Sequence, residues 1–216
     1  MGWADKLFVP VCGAPVLAHA LMAFQKSPQI GEIVVVAREE QLDRVAELCK
    51  SHGIDKASRV MFGGATRLES AISGVYAVSK RAQFIAIHDG ARPCVDEAVI
   101  ARTLAAAVKF GAAAPAVPVS STLKMVKDWG VVSTVDRDGL HEIQTPQVFQ
   151  ADAIKAALTN AKRKSVNVTD DCSAAELIGM YVRITEGSRN NIKLTTTEDL
   201  AFIEAVLANR LLKIEN

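Results

Sequence analysis

The chain has 216 residues, enough for one full α/β domain, so its size requires neither a disulfide framework nor a structural metal. Its 25 basic and 24 acidic side chains give a formal net charge of +1, which excludes the strong basic excess of a general nucleic-acid binder. Half of the residues are hydrophobic, yet no apolar run reaches the roughly 18 residues that a membrane span needs. We therefore expect neither nucleic acid nor a membrane as a partner.

Strand-like and helical patterns alternate along the chain. Short apolar runs typical of buried parallel strands cover residues 32–38 and 84–88, and residues 181–185 show the alternation of a more exposed strand. Helical periodicity covers residues 15–26, 41–49, 66–80, 97–110, 151–162 and about 198–212. The alternation predicts an α/β protein: a Rossmann-like, mostly parallel sheet flanked by helices, in a single domain over residues 1–216.

Residues 117–149 interrupt this alternation because they contain no pattern of helical length. The segments 122–126 and 131–135 are strand-like, and the Asp-Trp-Gly sequence at 128–130 suits a hairpin turn. A hairpin inserted into an α/β domain either covers a site or reaches a partner chain.

The cysteines indicate the cellular compartment. Cys12, Cys49, Cys94 and Cys172 lack the C-x-x-C spacing of zinc or redox sites, which favours reduced thiols. The opening residues do not form the apolar segment of a secretory signal. We therefore predict a cytoplasmic protein.

Polar residues that follow the predicted strands are the candidates for chemistry, since open α/β sheets bind ligands at the carboxyl ends of strands. The pair Gly63-Gly64 precedes a helix and either approaches an anion with its backbone or forms a simple tight turn. Asp89 follows an apolar strand, where a carboxylate can hold Mg²⁺ beside phosphates. Arg92 can brace that carboxylate or bind phosphate, and the alternative is a purely structural Asp–Arg pair.

Other polar residues are less informative when each is taken alone. The segments that contain Arg137, Thr145 and Lys193 are typical of surface loops. His19 and His88 are interpreted as structural, because no serine or cysteine partner completes a catalytic triad with either.

Taken together, these segments resemble the 2-C-methyl-D-erythritol 4-phosphate cytidylyltransferase family. The matching segments, in chain order, are Lys6-Leu-Phe8 with Gly13-Ala-Pro-Val-Leu-Ala-His19, Gly63-Gly64 with Arg67 and Ser70, Ile87-His-Asp-Gly-Ala-Arg-Pro93, Thr134-Val-Asp-Arg137, Gln144-Thr-Pro-Gln147, Thr169-Asp-Asp171 and Asn191-Ile-Lys193. The resemblance covers essentially the whole chain, and chance does not produce so many matches in order and spacing.

The resemblance implies a nucleotidyltransferase of the non-mevalonate isoprenoid pathway. Such an enzyme transfers CMP from CTP to methylerythritol phosphate and releases pyrophosphate, with Mg²⁺ as its cofactor. A phosphate oxygen of the acceptor attacks the α-phosphorus of CTP, so catalysis consists mostly of positioning and charge stabilisation.

The resemblance also implies roles for individual residues. It makes Lys6, Asp89 and Lys193 catalytic, with Asp89 as the Mg²⁺ ligand. It assigns nucleotide binding to Lys6, Gly64, Ala65, Ser70, Asp89 and Gly90. It assigns binding of the acceptor phosphate to Arg92, Thr122, Arg137, Thr145, Thr169 and Lys193. In the family a hairpin arm, here at about 117–149, crosses to a second subunit, which implies a homodimer in which Arg137 and Thr145 act in trans.

Some expectations stay open at this point. The family begins with a strand and the loop A-A-G-x-G-x-R-M-G, of which Met1-Gly2 matches the last two letters, so we expect the codons upstream of Met1 to encode the remainder. A ribitol-5-phosphate cytidylyltransferase has overlapping motifs and is the alternative within the same enzyme class. A catalytically inactive nucleotide-binding homologue is the alternative from a different class.

Overall fold

A computed structural model describes residues 3–212, and the predicted motif residues Met1 and Gly2 lie outside them. The helices are α1 Val16–Lys26, α2 Leu42–Ser51, α3 Arg67–Ala77, α4 Glu97–Phe110, α5 Ala151–Arg163, α6 Asp171–Glu176 and α7 Asp199–Leu212, with 3-10 turns at Trp3–Phe8 and Glu39–Gln41. The strands are β1 Pro10–Val11, β2 Ala14–Pro15, β3 Ile33–Ala37, β4 Ala57–Phe62, β5 Phe84–Ile87, β6 Ala112–Pro118, β7 Leu123–Lys127, β8 Gly130–Val135, β9 His141–Ile143, β10 Gln147–Gln150 and β11 Arg183–Glu186. The helices and strands confirm the predicted α/β class.

The main sheet has the strand order β11-β6-β10-β5, and β9 also pairs with β6. Strands β6 and β11 are parallel, whereas β10 runs antiparallel to both of its neighbours. Strands β3 and β4 form a separate parallel pair. The sheet is therefore mixed in direction where β10 returns through its centre.

The main core lies between this sheet and the helices that cover it. Phe149 of β10 is fully buried, and Ile154 and Leu158 on one face of α5 pack in the same cluster. The buried side chains of α5 recur every three to four residues, so they form one stripe that faces the core while the charged face of the helix is exposed. This packing holds the carboxyl ends of β5 and β6 and the start of β10 in fixed relative positions.

A cavity of about 1100 Å³ lies between the two sheet pieces. Its walls include Val34 and Val36 of β3, Ile85 and Ile87 of β5, and one face of α3. Gly64, which follows β4, and Asp89, which follows β5, also line it. The cavity therefore brings the predicted glycine loop and the predicted carboxylate to one common space.

The predicted hairpin is present as a two-stranded ribbon of β7 and β8, which pair with each other. Asp128 and Trp129 form its two-residue turn with φ angles of 48° and 63°, the left-handed conformation of a type I′ turn. Strands β9 and β10 fall inside the predicted 117–149 arm but belong to the main sheet. Only residues 123–135 therefore form the separate ribbon.

Within residues 3–212, no helix combines the length and apolarity required to cross a bilayer.

Candidate active site

The glycine loop connects β4 to α3 and packs tightly on the first turn of that helix. Thr66 caps the helix by accepting a hydrogen bond from the Glu69 amide at 3.1 Å. The Ser70 hydroxyl accepts from the Gly64 amide at 3.2 Å and donates to the Thr66 carbonyl at 3.0 Å. A Cβ at Gly63 would lie 2.6 Å from the Ser70 oxygen, and one at Gly64 would lie 2.1 Å from the Glu69 Cβ. Both glycines are therefore required by this close approach.

A carboxylate and several cations meet at the carboxyl end of β5. The ammonium of Lys193 lies 2.9 Å from Oδ2 of Asp89, and Nε of Arg92 lies 3.6 Å from the same oxygen. Lys6 donates a hydrogen bond to the Leu194 carbonyl at 3.0 Å, beside this cluster. The structure thus gathers residues that are as much as 187 positions apart in the chain, from Lys6 to Lys193.

Burial and charge perturb the acid–base properties of this cluster. Burial raises the pKa of Asp89, but the hydrogen bond and charge of Lys193 outweigh it and hold the net pKa below its ordinary value. Burial, reinforced by the Lys193 charge, lowers the pKa of Lys6. Asp89 is therefore ionised at neutral pH, and the excess of positive charge around it suits polyphosphate.

A chain of hydrogen bonds fixes the loop that carries Asp89. The Thr145 hydroxyl accepts from the Asp89 amide at 3.1 Å and lies 2.9 Å from Nδ1 of His88. Nε2 of His88 lies 3.2 Å from the Arg92 carbonyl, which can only accept, so the His88 proton is on Nε2 and Thr145 donates to Nδ1. Burial lowers the pKa of His88 to about 4, which keeps this ring neutral.

Thr145 lies in the connection between β9 and β10 and contacts residues of its own chain. It is only 5% exposed, and its hydroxyl is engaged by His88 and Asp89. The assignment of Thr145 to a second subunit's site stays a prediction.

The remaining predicted residues occupy different places. Gly90 packs so closely that a Cβ there would lie 2.9 Å from Cδ1 of Leu17. Ala65 and Thr169 are exposed, the first on the glycine loop and the second just before α6. Thr122 and Arg137 are exposed at the base of the ribbon, where Arg137 donates to a backbone carbonyl. Within residues 3–212, no hydrogen bond or ion pair joins these last two side chains to Asp89.

The sequence interpretation missed the amides that hold the site together. Asn191 is 1% exposed, donates from its side-chain amide to the Thr145 carbonyl at 2.8 Å, and accepts from Arg92 at 2.7 Å through its backbone carbonyl. Gln144 donates to the Ser188 carbonyl at 2.8 Å and accepts from the Ser188 amide at 3.1 Å. Both residues stand in matched motifs, so their polar character in those motifs was the available signal.

Asp89 is also the residue at which the structure can be compared with the requirements of a Mg²⁺ site. No group of at least three His, Cys, Asp or Glu side chains suited to a metal is found within residues 3–212. Asp89 is the carboxylate at the centre of the cation cluster, with Arg92 and Lys193 both at its Oδ2 atom. A single carboxylate fits Mg²⁺, which takes most of its remaining ligands from phosphates and water.

The fold and the site define a class: an α/β protein that binds phosphate groups at the carboxyl ends of its strands. The model of the IspD family, 2-C-methyl-D-erythritol 4-phosphate cytidylyltransferase, matches residues 3–209. The chain belongs to this family.

Curated relatives and solved structures agree with this assignment. A protein named 2-C-methyl-D-erythritol 4-phosphate cytidylyltransferase from Halalkalibacterium halodurans is 40% identical over 206 residues, which are 95% of this chain and 90% of that protein. A protein of the same name from Dehalococcoides mccartyi is 40% identical over 208 residues, 96% of this chain and 90% of that protein. The crystal structure of the enzyme of that name from Thermus thermophilus has a TM-score of 0.83 at 31% identity, covering 95% of both chains.

Proposed function

We propose that this protein transfers the cytidylyl group of CTP to 2-C-methyl-D-erythritol 4-phosphate and releases pyrophosphate. The observation that carries the proposal is the gathering of Lys6, Arg92 and Lys193 around Asp89, next to the glycine loop. Two phosphorylated substrates bring more negative charge than one carboxylate, so the local excess of cations is the feature that their reaction needs. Relatives named for this activity support the same reaction.

The chain's own residues supply positioning and charge. Lys6 and Lys193 neutralise the triphosphate and the acceptor phosphate, whose oxygen attacks the α-phosphorus of CTP as pyrophosphate leaves. Arg92, braced through the Asn191 carbonyl, lies on the acceptor side of the same cluster. Asp89 would hold Mg²⁺, which supplies charge neutralisation on the phosphates when bound.

We assign the cytidine end of CTP to the glycine loop. Ser70 closes this loop through its own hydrogen bonds, so its role is to shape the loop. The backbone at Gly64 and Ala65 is then the part that contacts the nucleotide. Gly90 lets its loop lie directly on Leu17 and keeps the Asp89 backbone near the nucleotide. The exposed Thr169 remains a proposed contact for the acceptor phosphate.

The ribbon of β7 and β8 is the proposed dimer contact. Its side chains are almost all exposed and include Met125, Val131 and the fully exposed Trp129. An isolated two-stranded ribbon is marginally stable in water, so a second copy that covers these apolar groups would stabilise it. Thr122 and Arg137 lie at its base, where they would reach a partner's site. Sedimentation of Val131→Lys should then show a monomer, whereas a dimer indistinguishable from wild type would contradict this role.

We propose a cytoplasmic location, where the cysteines, all free thiols among the described residues, stay reduced.

Pyrophosphate release tests the function directly. The protein is supplied with CTP, Mg²⁺ and methylerythritol phosphate, and ribitol 5-phosphate replaces the acceptor in a parallel reaction. Asp89→Asn should lower kcat by about 100-fold or more, because it removes the charge at the centre of the cation cluster. The exposed Asp55→Asn is the matched control and should retain wild-type activity. Absence of pyrophosphate release by wild type, or faster turnover of ribitol 5-phosphate, would overturn the proposal.

A further inference from the structure

A partly buried polar network lies beside the site and is not used by the proposed chemistry. Arg67, the first residue of α3, donates from Nη1 and Nη2 to the two oxygens of Asp171 at 3.1 and 2.6 Å. Asp171 is the first residue of α6, and its side chain is fully buried. A bidentate pair of this kind fixes both the distance and the relative orientation of the two groups.

Gln147 extends the network into the main sheet. Its Oε1 accepts from the amides of Asp171 and Cys172, each at 3.0 Å, and its Nε2 donates to Asp170 at 2.8 Å. Asp170 in turn caps α6 by accepting from the Ser173 amide at 2.9 Å. The start of α6 is therefore held on one side by β10 and on the other side by α3.

The network joins the two segments to which separate substrates are assigned. The glycine loop, residues 63–66, directly precedes Arg67 in the chain. Thr169 directly precedes Asp170, at the other end of the network. A rigid connection between Arg67 and Asp171 therefore sets the separation between the nucleotide loop and the proposed acceptor contact.

We propose that Arg67 and Asp171 form a positioning pair that aligns the bound nucleotide with the bound acceptor phosphate. The inference rests on the proposed function, because it requires both substrates in the places assigned above. Neither residue needs to touch a reacting atom. Their effect is on the alignment of the attacking oxygen with the α-phosphorus. A small error in this alignment lowers kcat strongly, whereas it changes the affinity for either substrate much less.

The chemistry of the pair agrees with a positioning role. The Asp171 side chain is fully buried whereas that of Arg67 is 40% exposed, and the desolvation of the carboxylate offsets much of the attraction between the two charges. Burial raises the pKa of Asp171, and the hydrogen bonds and charge of Arg67 oppose this rise only in part. Ionisation of this carboxylate therefore costs more free energy than it does in water. The exposed part of Arg67 lines the cavity that Gly64 and Asp89 also line.

Steady-state kinetics on Arg67→Lys tests the proposal. Lysine keeps the charge but cannot form the bidentate pair, so kcat should fall by about 10- to 100-fold while the KM for CTP changes less than threefold. Lys162→Gln is the matched control, because it breaks a different ion pair of α3, the 3.2 Å contact of Glu69 with Lys162 of α5. This control should keep the wild-type kcat.

Asp171→Asn, alone and combined with Arg67→Lys, separates positioning from a general loss of structure. If the two residues act as one unit, the double variant should be no more than about threefold slower than Arg67→Lys alone. Thermal unfolding identifies variants whose lower kcat reflects a smaller folded fraction, and kcat is expressed per folded enzyme. Wild-type kcat in Arg67→Lys, independent multiplication of the two effects, or a rise in the KM for CTP that accounts for the loss would each overturn the proposal. Inactivity of the wild-type protein would instead overturn the proposed function, and the positioning role with it.

Discussion

Gly64→Ala tests whether the glycine loop must lie against α3 in order to bind the nucleotide. The added Cβ would lie 2.1 Å from the Glu69 Cβ and 3.2 Å from the Glu69 carbonyl carbon. Carbon atoms in favourable contact are about 3.5 to 4.0 Å apart, so one of the two segments must move by about 1.4 Å. The start of α3 is held by the Thr66 cap and by the Arg67–Asp171 pair, so the displacement falls on the loop.

The size of the effect follows from this displacement. Overpacking of this kind costs about 1 to 3 kcal/mol, which corresponds to between about 5- and 150-fold in an equilibrium constant. Because the moved backbone is the part that contacts cytidine, we expect the KM for CTP to rise by at least about fivefold, while the KM for the acceptor changes little. The assay is pyrophosphate release with CTP varied at saturating acceptor phosphate.

Gly31→Ala provides the matched control for this experiment. Nothing lies within 4 Å of a Cβ at Gly31, and its φ angle is one that alanine adopts readily. The control should keep the wild-type KM for CTP within experimental error. If Gly64→Ala also keeps a KM within twofold of wild type, the loop does not require its close approach to α3 and the assignment of cytidine to it is refuted.

Further predictions concern charge, pH and the core. Lys193→Met removes the cation 2.9 Å from Asp89 and should lower kcat by about 100-fold, whereas the exposed Lys50→Met should not; equal rates would contradict the role of Lys193. Burial lowers the pKa of His88 to about 4, so between about pH 6.5 and 4 the unfolded chain binds this proton and the folded chain does not. The free energy of unfolding should therefore decrease by up to about 3 kcal/mol as the pH falls through that window, and His88→Gln should flatten the dependence in urea titrations. Phe149→Ala removes a fully buried ring and should lower the free energy of unfolding by about 3 to 5 kcal/mol in the same titrations. A decrease of less than about 1 kcal/mol would contradict the central place of this ring in the core.

Six of the seven α-helices among residues 3–212 were predicted from sequence, because their apolar residues recur at helical spacing; the six-residue α6, Asp171–Glu176, was not. The segment predicted at 97–110 is α4, and the segment predicted at 41–49 is α2, within two residues at each end. Strands β3 and β5 were predicted for a similar reason, since both are continuous apolar runs. Strand β6 was not, because its Ala-Ala-Ala-Pro-Ala-Val-Pro sequence has low β propensity and forms a strand only through its neighbours in the sheet.

In the candidate site, too, some features were predictable from the sequence and others were not. The sequence by itself determined the α/β class, the glycine loop, the carboxylate after β5 and the order of the family motifs, because those features depend on residue type and local spacing. Only the tertiary structure decided that Thr145 turns inward to His88 and Asp89, and that Arg67 meets Asp171 across 104 residues of chain. The physical reason is that the local spacing of apolar residues indicates which face of a helix or strand is buried. The partner of a buried polar group depends instead on which elements the fold places side by side.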